Sequence, residues 1–183
     1  MAVSTSQPET LKQAPAADPT VWQQVIAFIE ALLLAAWLGS MFFFSFAVAP
    51  SAFGVLPSRE LAGKMVTSTI SKVENIGLII GLLLLIIQAL TWRARRVSEI
   101  EKVIRAFLLV LMTAMAALSH YWVSSKMVSL RQAMGGMIDD IPATDPLRIQ
   151  FNDLHQYSVT LMGTAMLAGL VVLFLTVRSW LKR

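Results

Sequence analysis

The chain has no cysteine in its 183 residues. That excludes disulfides and thiolate-held zinc or iron–sulfur clusters, and it leaves the redox compartment undecided. Any metal would have to use histidine, methionine or carboxylate, and there are only two histidines, His120 and His155. Charge is scarce as well: 14% of residues are Asp, Glu, Lys or Arg, against 56% hydrophobic. A soluble domain with this make-up would leave far too much apolar area wet. No P-loop, dinucleotide fingerprint, HExxH or nucleophile elbow is present, so nothing argues for an enzyme. The basic run WRARRVSEIEKVIR (92–105) is an orientation signal that also attracts anionic lipid, not a nucleic-acid patch.

What is present is apolar length. Stretches at about residues 21–49, 73–92, 104–125 and 155–177 each reach or approach the roughly 20 helical residues that cross a bilayer. The expected fold class is all-α: an integral membrane antiparallel four-helix bundle with a long second helix, occupying residues 21–183. The first twenty residues, MAVSTSQPETLKQAPAADPT, have no apolar periodicity and read as a disordered tail. Ala47-Val48-Ala49 has the form of a signal-peptide cleavage site. The tail is not basic, the apolar run is too long and Pro50 follows the cut, so the first helix is expected to stay as an anchor.

Lys and Arg set orientation. The densest cluster, Arg93, Arg95, Arg96, Lys102 and Arg105, lies between spans two and three, and Arg178, Lys182 and Arg183 end the chain. Both segments, and with an even span count the N-terminus, are expected in the cytoplasm, with loops near 50–72 and 126–154 outside. Arg59, Lys64, Lys72, Lys126, Arg131 and Arg148 on the outer side make the bias moderate. Trp92, Trp122 and Trp180 sit near span ends, where indole favours the interface.

Pro57-Ser58-Arg59-Glu60 reads as a helix start, and no breaker follows before the Arg cluster. Helix two then runs for about 35 residues, roughly 50 Å. Gly77 and Gly81 on this helix, and Ala31, Ala35 and Gly39 on the first, form small-residue steps that permit close packing within the chain or between copies.

The segments LGSMFFFSFAVAPSAFGVLPSRELAG (38–63) and RIQFNDLHQYS (148–158) resemble the bacterial "domain of unknown function" membrane family related to transmembrane protein 205. The resemblance spans most of the chain and implies a four-helix protein of the bacterial inner membrane; it supplies no reaction. A weaker likeness to membrane copper-resistance proteins rests on histidines near span ends.

Counted outward from the cytoplasmic marks, His120, His155 and Glu74 fall at similar depth in the outer part of the bilayer. Two readings follow. The two histidines, with Glu74 as a further ligand, could hold haem or a metal between facing helices, and Met127, Met134 and Met137 would suit Cu(I). Alternatively each histidine hydrogen-bonds a neighbouring helix through Ser119, Ser158 or Tyr157, and methionine fills gaps. The stripe of His155, Val159, Met162 and Met166 fits bundle core better than a cofactor box.

Glu30, about nine residues into the first span, costs on the order of 2.5–3.5 kcal/mol in hydrocarbon unless paired or neutral. Gln88 is the expected partner at comparable depth. Proton or cation handling is the functional reading, and a polar lock between helices one and two the structural one. The acidic loop MGGMIDDIPATDP (134–146) lacks calcium-loop spacing and reads as a solvated turn. These readings converge on a non-catalytic membrane protein with a packing, assembly or accessory role, whose partners are the lipid bilayer and other membrane subunits. A haem or copper protein using His120 and His155 is the rival.

Overall fold

The computed structural model describes residues 20–135 and 138–181. The N-terminal tail, Met137, Lys182 and Arg183 lie outside them, as does the side chain of Trp180. Four helices account for nearly all of the described chain: α1 (Val21–Val55), α2 (Arg59–Thr91), α3 (Glu99–Ala133) and α4 (Pro146–Leu181). Each is long and apolar enough to cross a membrane. The 33 residues of α2 match the length read from its Pro-Ser start, but its neighbours are as long. The segment expected as an outer loop from 126 is the continuation of α3 to Ala133, leaving only a short connection before Pro146.

Local chemistry fixes the helix ends. Thr20, assigned by its sequence to the tail, caps α1 by accepting from the Gln23 N–H at 3.4 Å. Leu56 is extended because Pro57 follows it, and Ser58 caps α2 through the Leu61 N–H at 3.2 Å. Ser98 accepts from the Glu101 N–H, with Glu99 and Glu101 in the positive first turn of α3. Gly135 ends α3 at φ +69°, a conformation only glycine takes at little cost. Asp145 Oδ1 accepts the Leu147 N–H at 2.7 Å at the start of α4.

Two helices widen in mid-course. Pro50 has no N–H to offer Phe46, and the turn before it relaxes to π geometry over Phe44–Val48, where the Ala49 N–H donates to the Phe44 carbonyl five residues back. A second π turn, Ser119–Ser124, interrupts α3.

The helices form a ring in which α1 packs on α2, α2 on α3, α3 on α4 and α4 back on α1. Lipid offers no hydrophobic drive for this association, so close packing must supply it. The central core is Leu34, Trp37, Leu38, Met41, Leu84, Leu109, Met112 and Val172, with Ala165 and Ala168 giving room on α4. Phe28, Leu90, Phe107 and Phe174 point outward as an apolar belt. Beyond the belt the far ends of α3 and α4, away from the Arg-rich α2–α3 turn, share a smaller core of Val123, Leu130, Met134 and Leu154.

The small-residue steps divide. Gly77 and Gly81 face inward and receive side chains, not backbones: a Cβ on Gly77 would overlap Nε1 of Trp37, and one on Gly81 would overlap Oγ1 of Thr113. Ala35 and Gly39 are on the exposed side, with nothing near Gly39.

Candidate functional site

Two buried polar layers cross the bundle, and each is built around one carboxylate. Near the Arg-rich end Glu30 is fully buried. Its Oε2 accepts from Arg105 Nη2 at 3.2 Å, and Arg95, from the α2–α3 turn, pairs with Oε1. Arg105 is itself 1% exposed and is the hub. Its Nη1 donates to Thr176 Oγ1 of α4 at 2.6 Å, and its Nε to Gln88 Oε1 of α2 at 3.3 Å. Gln88 in turn donates to the Lys102 carbonyl. One guanidinium thereby ties α1, α2 and α4 to α3, using the planar fork of donors that only arginine has.

This corrects the expected pairing of Glu30 with Gln88: both meet Arg105 instead. The reason is electrostatic, since a buried carboxylate gains far more from a guanidinium at its own depth than from an amide. Arg95 and Arg105 had been counted only as orientation signals. Depth could have found them, because Glu30 and Arg105 each lie a few turns inside the same end of the bundle.

The second layer surrounds Glu74, which is 5% exposed. Its partners among the described residues come from the π turn of α3. Ser119 donates to Oε1 at 2.5 Å, Ser124 to Oε2 at 3.1 Å, and His120 Nδ1 lies 3.3 Å from Oε2. In an α-helix residues five apart point about 140° away from one another. The i→i+5 bonding of a π turn brings Ser119 and Ser124 to one carboxylate. Next to Glu74 is a void of about 10 Å³ whose walls include Trp37, Met41, Met115 and Met162. Trp37 Nε1, resting on Gly77, is the one buried side-chain polar atom among the described residues without a hydrogen-bond partner.

Of the residues proposed as ligands, the structure unites Glu74 with His120 and leaves His155 apart. His155 is exposed on α4 and makes no hydrogen bond or ion pair with any described residue. Its stripe splits: Met162 and Met166 pack on the core, while His155 and Val159 face out. Met127 and Met134 fill the far-end core. No group of three or more His, Asp or Glu side chains among the described residues is arranged to hold a metal.

A third feature was absent from the sequence reading. At the far end a cleft of about 410 Å³ opens between the start of α2 and the ends of α3 and α4, with Arg59, Arg131 and Arg148 in its walls. These side chains had registered only as charge weakening the orientation bias. Their position on the side with fewer basic residues was the available signal.

The fold and these polar layers define a multi-pass helical membrane protein. A family model described as a domain of unknown function (DUF4149) matches residues 32–135, more than half of the chain, and the protein belongs to that family. The match takes in Glu74, Gln88, Arg105 and the π turn of α3, and stops before α4. It carries no link to transmembrane protein 205. No curated protein and no solved structure matches the chain.

Proposed function

We propose that this protein works without catalysis as an accessory or assembly subunit of the bacterial cell membrane, with both ends of the described chain on the cytoplasmic side. The observation that supports this most is that both buried carboxylates are satisfied within the chain: Glu30 by two guanidiniums, and Glu74 by two hydroxyls and an imidazole. A proton or cation relay needs a group that exchanges its partner, and Glu30 is clamped by two arginines. The polar layers act as locks that fix helix register, leaving the apolar exterior for lipid and for another membrane chain.

Reconstituted in liposomes, the protein and its Glu30→Gln variant should both pass protons and cations no faster than empty vesicles; flux that the variant abolishes would replace this reading with transport. A photocrosslinker at Leu90, Phe107 or Phe174 in native membranes should give a discrete adduct with another membrane protein. Adducts with lipid alone from all three positions would count against an accessory role.

The contact between Glu74 and His120 favours a second reading, in which this pair, joined by a thioether from Met41, Met115 or Met162, holds copper. The purified protein would then carry copper that His120→Ala removes. Equal copper content in both proteins would end the idea.

A further inference from the structure

We propose that the far-end cleft binds a water-soluble organic anion by its carboxylate or phosphate group, with Arg131 as the principal contact. Arg131 is half-buried, and its side chain is held in place without being consumed. Its guanidinium lies over the Phe151 ring at 5.5 Å from the centroid and against the bare face of Gly63, where a Cβ would overlap Nη1. It donates no hydrogen bond to any described residue. Glu60, whose charge also reaches Arg131, is bonded to Lys64 at 2.5 Å. Both Nη atoms abut Gly63, so the guanidinium is held in one orientation in the cleft wall, a fixed cation that can meet a carboxylate or phosphate with the edge that Gly63 leaves open.

The surroundings fit the same ligand. Arg148 shares the cleft wall, as do Arg59 and the carboxylates of Glu60 and Asp140. Arg148 spends one nitrogen on the Ile141 carbonyl. A second groove, about 630 Å³, continues from the first across Arg131 and Phe151 and is walled by Met127 and Val128. A charged head on the arginines with an apolar body on Phe151 and Met127 would use both, and the volumes are of the size that small-molecule sites have.

Depth separates a solute from a bilayer lipid. Trp122 is half-exposed, as an indole at the headgroup level would be, and beyond it exposed apolar side chains such as Leu61 and Val128 stand among exposed Lys64 and Lys126. Arg131 follows Trp122 by nine residues, about 13 Å further along the helix, whereas the polar layer of a leaflet is only about 5–7 Å thick. The cleft therefore stands on the water side of the lipid.

The test is titration of the full chain in detergent with phenyl phosphate, inorganic phosphate and dihexanoylphosphatidylglycerol, read by calorimetry. Phenyl phosphate should bind one to one, at least tenfold more tightly than inorganic phosphate. Arg131→Ala and Arg131→Lys should each weaken it at least tenfold, while Arg93→Gln, at the other end of the bundle, should leave it unchanged. Gly63→Ala displaces only the tip of a flexible side chain, so it should fold and still weaken binding severalfold; it serves if Arg131 variants fail to fold. Unchanged affinity in both Arg131→Ala and Gly63→Ala, equal loss in Arg93→Gln, or no binding of any probe at millimolar concentration would overturn the site. Equal affinity for inorganic phosphate would remove the organic body from the proposal, and tighter, Arg131-dependent binding of the lipid would overturn the water-soluble source.

Discussion

Glu30 and Arg105 share one energetic fate. Removing Glu30 leaves Arg105 buried without its carboxylate, and removing Arg105 leaves Glu30 with Arg95 alone; breaking a buried pair costs about 3–5 kcal/mol, whereas exchanging both partners for apolar groups of similar volume is often near neutral. Glu30→Gln and Arg105→Met should therefore each lower the thermal unfolding midpoint in detergent substantially, and Glu30→Leu with Arg105→Met should recover much of the loss. Additive destabilisation in the double variant would show that the two are not coupled. The pair also shows what could be read beforehand. An acid inside an apolar span announces that it needs a partner, so Glu30 was visible; Arg105 was hidden because its neighbours Arg93, Arg95 and Arg96 made it look like one more orientation charge. Thr176 carries no signal of its own, since a threonine that bonds the carbonyl four residues back resembles any other in a membrane helix. For His155 the count missed both depth and azimuth: the α4 residues level with Glu74 are Leu161, Met162 and Ala165, six to ten positions further along the helix, and His155 faces outward.

Within each helix, glycine means different things according to what it faces. Gly77→Ala would drive a methyl into Trp37, which is 1% exposed and has little room to yield. Overpacking of this kind costs about 1–3 kcal/mol. Gly39→Ala has open space and removes a flexible residue from a helix interior, which is worth roughly 0.5–1 kcal/mol in the other direction. Thermal unfolding of the two variants should move in opposite directions; a shift of the same sign would mean that Gly77 is not seated on Trp37. The start of α2 was legible because Pro57-Ser58 is a local signal, whereas the far ends of α1 and α3 and the start of α4 were not, since the helices run on past the apolar stretches that marked them. The π turn at Ser119–Ser124 was not, as its sequence SHYWVS contains no breaker and the widening is set by the demand of Glu74 across the interface.

For the molecule as a whole, four apolar runs and short connections suffice to read an up-and-down bundle. The ring order of its helices adds only the contact that closes α4 onto α1. Orientation rests on the asymmetry of Lys and Arg, and it yields a plain expectation. Reporter domains fused in the α2–α3 turn near Arg96 should be active on the cytoplasmic side, and those fused near Pro142 on the opposite side. The reverse pattern would invert the proposed topology and turn the arginine cleft toward the cytoplasm. The chain also holds more helix than a bilayer needs, since each rod is about 50 Å long against a hydrocarbon layer of about 30 Å. The surplus at the far end is what gives the protein a cleft at all.

The widened turn in α3 acts as a rotary coupling. One residue of surplus or deficit in a helix swings everything beyond it by on the order of 100° about the axis. Rewinding Ser119–Ser124 into regular pitch would scatter the donors around Glu74 and, in the same motion, carry Arg131 off the Phe151 ring. The buried carboxylate and the cleft are thus phased by a single irregularity, and a deletion of Tyr121, which takes out the extra residue of the wide turn, would undo the grip on Glu74 while keeping Arg131 in phase.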